Sequence, residues 1–585
     1  MKLLVLLFLL LLRALPTNVL WAQSSAPPPK SQVSKSRPTS AKEISPKEQL
    51  WCPVLKSALS AAAGAEPPMR SYLLDAVAGG LAKCAPQKVR NALVDSFTAT
   101  LSIPETQEEV DQRWRRFFRN GERPDEATQE SRFNLQMKKM LQGSALRHLL
   151  PIDEAKVDSL LPQAEPDVRA GLIHQMISQA TSAKKFDRAL ELLSRTPSRE
   201  WFPEMFPFRE ATQLVLDLPP EREKDKQEIF RVAMAADRER RWFTTSGDDL
   251  ADMIVRFWRH IPPAMVLEAI HQVLDKADFA EDGLTLNSPS GKMGFTNERD
   301  YRVFELLPIL RELDPDEAVK LLKSSQQAQL HLKEFPNGVQ SLDPSIGDST
   351  PKKGEPPHHV WISTPDLDQG VSNETTQALD AANTRVREIA HLASDNPRQA
   401  IEAAATLPET VGSPEWPFEF PRSQAYLEIA RALMKTNPSG ASDALEQMAE
   451  SMKHIAHPYQ TMHQWLEGIT IAKEMDDADL ALDLFRSGME QADKLRSEDA
   501  NPDDPNIAIK ALWPSICAYS GLVLAASQIS PQTALRQIQD VKDPEILLLL
   551  EVKLANKQLG ARDFQSSAMV HKRSSHHEMF GGCAN

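Results

Sequence analysis

Side chains that could do chemistry gather at a few points of this 585-residue chain. Two loops repeat a Glu-Trp signature. One is Glu200-Trp201-Phe202-Pro203-Glu204, with Phe206 and Phe208 close behind; the other is Glu415-Trp416-Pro417-Phe418-Glu419, followed by Phe420. Trp and Phe give large contact area at low entropic cost, so Trp201, Phe202, Trp416 and Phe418 are the candidate anchors for a protein or peptide partner. The competing reading is that the rings close the open end of a helix pair and are core; their duplication favours it. The C-terminal stretch holds His571, His576, His577 and Cys583, ligand types for zinc or copper whose spacing fits no closed site. His358-His359 and the set His454, His457 and His463 fare no better, because Pro458 ends any face that His454 and His457 share. Asp499-Ala500-Asn501-Pro502-Asp503 opens like a calcium loop. It then places Asp504 where the sharp turn wants Gly and Lys510 where a bidentate Glu is needed, so a solvated acidic loop is expected. Nucleophile elbows, His-Glu metal helices, phosphate-cradling Gly loops and Cys-x-x-Cys pairs are missing from the sequence. No catalytic residue, cofactor or metal is therefore expected.

The elements that would position these side chains are helical. Only 22 glycines and 5 tyrosines are present, and Ala, Leu, Glu, Gln and Met, the strong helix formers, are plentiful. Gln23 to Pro46 is rich in Pro, Ser and Lys and reads as a disordered linker. From 47 to 333 the periodicity predicts helix after helix, among them 86–103, 104–120, 125–142, 166–180, 184–195, 219–238, 248–260 and 262–276. Residues 334–374 hold ten Pro and Gly with no apolar face and read as a long loop. Helices resume over 375–559, and 560–585 reads as a disordered tail. The expected fold is all-α: an irregular solenoid of antiparallel helix pairs in two arrays joined by that loop.

The N-terminus predicts export. Lys2, an apolar run from Leu3 to Leu12, Arg13 and the exit Leu20-Trp21-Ala22 have the order of a secretory signal peptide over 1–22, with cleavage after Ala22 or Ser24. Ten apolar residues are too few to span a bilayer, and no later stretch approaches a transmembrane segment. Removing Lys2 and Arg13 from 67 basic residues, against 81 acidic, leaves a mature charge of about −16. Such a surface repels phosphate backbones and anionic lipid heads, which argues against nucleic acid and membrane surfaces as partners. An oxidising compartment makes disulfides possible for Cys52, Cys84, Cys517 and Cys583. Predicted helices over 48–63 and 68–84 fold back through Gly64-Ala65-Glu66-Pro67, which brings Cys52 and Cys84 to one seam as the candidate structural disulfide. The competing reading is two buried thiols.

The helices carry a recurrent opening: a cap residue, Pro, two variable positions, then Ala. It stands at Asp314-Pro315-Asp316-Glu317-Ala318, Asn396-Pro397-Arg398-Gln399-Ala400, Asn437-Pro438-Ser439-Gly440-Ala441 and Ser530-Pro531-Gln532-Thr533-Ala534. Asp187-Arg188-Ala189-Leu190 and Asp479-Leu480-Ala481-Leu482 are variants without Pro. An N-cap before Pro is pre-set for the first turn, and the small Ala lets helices approach closely. In the C-terminal half the alanines recur every 40 to 53 residues, the scale of a helical repeat. Phe186 to Leu193 and Asp479 to Phe485 resemble helix openings of tetratricopeptide-like and related HEAT-like α-solenoids, and the chain as a whole is similar to secreted bacterial helical-repeat proteins. The full tetratricopeptide pattern, with its Trp, Leu-Gly and Tyr positions, is absent. The resemblance implies an interaction scaffold in the bacterial envelope or periplasm that binds a protein or peptide and catalyses nothing itself. The alternative is an envelope hydrolase that attacks cell-wall glycan through an acidic groove, which needs a carboxyl of raised pKa.

Overall fold

A computed structural model describes residues 45–120, 126–195, 206–239, 249–277, 284–288, 291–342, 361–363, 373–413, 416–455, 461–495, 514–539 and 541–561. The expected leader, most of the linker, the acidic loop at 499–510 and the tail lie outside the described residues. Among the described residues the chain is all-α apart from five short strands.

The first six helices are α1 (Pro46–Ala61), α2 (Pro67–Cys84), α3 (Pro86–Thr100), α4 (Gln107–Asn120), α5 (Glu126–Leu149) and α6 (Glu154–Leu160). A capping box opens α1: Ser45 Oγ accepts from the Glu48 amide at 3.2 Å, and the Glu48 carboxylate accepts from the Ser45 amide at 2.8 Å. Cys52 and Cys84 form the expected disulfide, with Cα atoms 5.4 Å apart. It joins the first turns of α1 to the last of α2. A closed loop of 32 residues contributes about 3–4 kcal/mol. The paired Cys52→Ala, Cys84→Ala variant is expected to lose about that much in urea unfolding, with amides of 46–61 exchanging first; an unchanged midpoint would refute it.

Next come α7 (Pro166–Ser182), α8 (Phe186–Ser194), α9 (Phe208–Asp217), α10 (Glu223–Glu239), α11 (Leu250–Phe257), α12 (Pro263–Ala277), β1 (Leu284–Ser288), β2 (Gly291–Phe295), α13 (Glu298–Leu313), α14 (Pro315–Ser324), α15 (Gln326–Glu334), α16 (Val339–Leu342) and β3 (Trp361–Ser363). The strands form an antiparallel sheet in the order β2-β1-β3. Register pairs Leu284 with Phe295 and Leu286 with Met293, and all four are buried. This sheet is not anticipated by the helical reading, and α16 and β3 fall inside the stretch read as a loop.

The last group is α17 (Asn373–Asp395), α18 (Pro397–Ala405), β4 (Val411–Ser413), β5 (Trp416–Glu419), α19 (Pro421–Leu433), α20 (Pro438–Met452), α21 (Met462–Glu474), α22 (Ala478–Lys494), α23 (Pro514–Ser527), α24 (Pro531–Gln539) and α25 (Pro544–Leu559). The recurrent opening does what its chemistry predicts. Asn396, Asn437, Asp477 and Asp314 each accept, on a side-chain oxygen, from the amide three residues on. Ala318, Ala400, Ala441, Ala481 and Ala534 are all buried. The two openings without Pro, at Asp187 and Asp479, share a further device. Each is preceded by a left-handed residue, Lys184 (φ 57°) and Asp476 (φ 65°). In each turn the next amide donates five residues back, from Lys185 to the Ala180 carbonyl and from Asp477 to that of Ala472.

The chain divides into two compact units, and they do not follow the two arrays in chain order. One is the insert, 166–370; the other is the frame, which combines 21–165 with 371–585. Within the frame the helices stack in two layers. In one, α17 packs on α19, α19 on α21, α21 on α23 and α23 on α25; in the other, α18 packs on α20 and α20 on α22. The row continues past α25 into α1 and α2, then α3 and α5. Asn556 on α25 donates to the Ala76 carbonyl on α2 at 2.9 Å, a buried bond. The frame therefore reads in space as 373–561 followed by 45–165.

Candidate functional site

A polar stripe crosses the frame's first layer. Gln424, Glu428 and Arg431 recur at helical spacing on α19, and Gln464 and Glu467 do so on α21. Ser423 Oγ donates to Gln464 Oε1 at 2.6 Å, Gln464 Nε2 to Gln424 Oε1 at 3.3 Å, and Gln424 Nε2 to Glu428 Oε1 at 3.0 Å. Arg431 pairs with Glu428 at 2.5 Å and also with Glu467. Further along, Lys473 Nζ donates at 2.7 Å to Oε1 of Gln528, in the turn that follows α23. The helices lie close because Gly521 stands against Leu466, where a Cβ would meet Leu466 Cδ1 at 3.1 Å. On α25, burial without a named countercharge pushes the Glu551 carboxyl above its ordinary value. Ion pairs as exposed as those of Arg431, at 38%, contribute at most about 1 kcal/mol to folding. The Arg431 ion pairs are thus held in place without being needed to hold the frame together, while the Ser423–Gln464 bond beside them is buried.

The frame also brings together Asp75, Ser144 and His148, a set that invites a catalytic reading. Ser144 Oγ donates to Asp75 Oδ2 at 2.5 Å, while His148 Nδ1 meets Asp75 Oδ1 at 3.0 Å. A nucleophilic triad needs Asp on one ring nitrogen and the hydroxyl on the other. Here the hydroxyl lies 3.5 Å from the same Nδ1 and gives its proton to the carboxylate. The arrangement clamps α2 to α5 and does not activate Ser144.

In the insert, a dry charge cluster ties α11 to α13. Arg302 contacts Asp249, Glu305 (2.7 Å) and Glu298 (3.3 Å), and all four side chains are under a tenth exposed. Asp249 also caps α11, accepting from the Asp252 amide at 3.1 Å. Tyr301 Oη donates to Glu305 Oε1 at 3.2 Å, and its ring meets Phe295 of β2 edge-on at 5.5 Å. Burial is the main force on these groups. It raises Glu298 and drives Glu305 up to about 7, against the pull of Arg302. Burial opposes the Arg302 charge, but the surrounding carboxylates outweigh it and hold Arg302 well above its ordinary value. This cluster is what sequence reasoning missed.

Of the sequence-predicted positions, Cys52 and Cys84 are joined as stated. Trp201 and Phe202 lie outside the described residues. Their neighbours Phe206 and Phe208 are buried and meet edge-to-face at 4.8 Å. Trp416 and Phe418 fall on β5, where the backbone alone is described, and Phe420 is buried. Cys517 is buried and is not a free thiol. His358, His359, His457, His571, His576, His577 and Cys583 lie outside the described residues. Among the described residues no group of three metal-ligating side chains converges, and no helix is long and apolar enough to cross a membrane.

No family model and no curated protein matches this chain. A solved structure described as "Circular tandem repeat protein with novel repeat topology and enhanced subunit contact surfaces" is similar at 12% identity and a TM-score of 0.16, over 88% of this chain and 97% of that one.

Proposed function

We propose that this chain is an exported helical-repeat scaffold of the bacterial envelope. It binds a protein or peptide along the polar stripe of α19 and α21, without catalysis of its own. The observation that carries this reading is the stripe itself. It is a run of hydrogen-bonding groups on a helical layer, buried at Gln464 and part-exposed at Gln424, Glu428, Arg431 and Glu467, whose ion pairs add little to folding. The leader and the Cys52–Cys84 disulfide support an oxidising compartment. Arg431→Glu places like charge beside Glu428 and Glu467. It is expected to cut crosslinked capture from envelope extract roughly tenfold, a binding change of about 1.4 kcal/mol, with an unchanged melting temperature. Equal capture by wild type and variant would count against the stripe as the binding surface.

One observation favours a second reading. Glu305, with its pKa raised to about 7, keeps its proton as a glycan hydrolase would need in its general acid. Its carboxylate is enclosed by Arg302 and Tyr301 and faces a core, so the scaffold is preferred. Release of soluble sugar from purified cell wall, lost in Glu305→Gln, would reverse that preference.

A further inference from the structure

One guanidinium in the insert is divided among three carboxylates, and the division is uneven. Asp249 holds one nitrogen of Arg302 and caps α11 as well. Glu298, seven residues before Glu305 on α13, takes the Nε at 3.3 Å. Glu305 takes another nitrogen at 2.7 Å and receives the Tyr301 hydroxyl on its second oxygen. Glu305 thus faces two like charges across a shared cation, in a space from which water is excluded. Neighbouring charges have partners of their own, yet Asp252 still adds to the negative field at Glu305, and Lys276 draws Glu298 toward its charged form. Asp252 on α11 pairs with Arg256 at 3.0 Å, and Lys276 on α12 donates to the Asp237 carbonyl at 2.7 Å. On α14, Glu317 pairs with His271 of α12 at 2.9 Å. On α15, His331 stacks on Phe295 and Phe304 and bonds the Gly294 carbonyl at 3.1 Å.

We propose that Glu305 is the proton-holding element of a pH-sensitive lock joining α11, α13 and the β1–β2 hairpin. Protonated, it leaves Arg302 to Asp249 and Glu298 and keeps its contact with Tyr301, whose ring supports Phe295. Ionised, it competes for the guanidinium, and the strain falls on the cap of α11 and on the hairpin through Tyr301.

The direction of the pH effect follows from linkage. Glu305 is raised in the folded state, from 4.5 to about 7, so the folded insert holds a proton that the opened one releases. Its protection is fully present below the unfolded value and is lost as pH rises through about 7. Amide hydrogen exchange on the full chain, corrected for intrinsic rates, reads this directly. From pH 4.5 to pH 8, residues 250–257, 291–295 and 298–313 are expected to lose roughly a hundredfold in protection, while the frame helices 421–433 and 462–474 do not. Glu305→Gln flattens the profile; His331→Gln, which removes the imidazole packed on the hairpin, does not. Glu298→Gln removes a competitor and moves the midpoint down. A wild-type slope retained in Glu305→Gln, a flat profile in His331→Gln, or an unmoved midpoint in Glu298→Gln overturns the proposal.

Discussion

Arg302→Met is expected to unfold the insert at neutral pH while the frame stays folded. The methionine fills much of the space but leaves Asp249, Glu298 and Glu305 buried without the cation they share. Breaking a buried ion pair from one side costs about 3–5 kcal/mol, a large part of the roughly 5–15 kcal/mol that keeps a domain folded. The cost comes from stranded charge and not from lost attraction, which gives a second arm. Arg302→Met combined with Asp249→Asn, Glu298→Gln and Glu305→Gln keeps a capping side chain on α11 and removes every stranded carboxylate. That variant is expected to recover most of the lost stability. Protease cleavage within 250–342, followed against urea, separates the cases. A single variant as resistant as wild type would show that the cluster is not under the electrostatic load described.

Gly80 carries the second large effect. It lies on α2 where α1 and α25 both come in, and a Cβ there would sit closer than 3.0 Å to Asn556 Oδ1 and Leu55 Cδ1. Asn556 cannot simply swing away, since its amide holds the Ala76 carbonyl, and Leu55 is fully buried. Helix propensity alone would make Gly80→Ala stabilising by about 1 kcal/mol. Overpacking costs about 1–3 kcal/mol and rises with each added methyl. Gly80→Val, which loses most of the propensity gain, is therefore expected to destabilise the frame by at least 2–3 kcal/mol and Gly80→Ala by less. Exchange should quicken in 46–61 and 544–559 and stay unchanged in 298–313. A stabilised Gly80→Val frame would mean that α25 does not close on α2 as described.

What the sequence made legible is local. Caps, prolines and buried alanines act within one turn, so Asn396 with Ala400 and Asn437 with Ala441 announce their helices unaided. The Cys52–Cys84 pair is legible because one short turn fixes the geometry of two helices. The β1–β2 hairpin was not, because its alternation spans only Leu284, Leu286, Met293 and Phe295 and is overshadowed by helices on either side. The charge cluster was illegible for a different reason. Glu298, Arg302 and Glu305 recur at helical spacing, which on its own describes a solvated face laced with ion pairs. Only Asp249, 53 residues earlier, and the packing of α11 and β2 turn that face into a core.

The spatial order of the frame has a consequence for how the protein comes into being. A chain emerges from the ribosome, or through a translocation channel, from its first residue onward. Here the first helices to emerge are the ones that must wait. The face of α2 around Ala76 and Gly80 receives its partner, Asn556, 480 residues later. Until α25 arrives, that apolar seam is open to other chains, the exposure that makes long-range topologies slow to fold and prone to aggregate. The Cys52–Cys84 bond closes within the first hairpin and needs nothing downstream. It keeps α1 and α2 in register through that interval, so its largest service is to the nascent chain and comes before the fold it stabilises is complete.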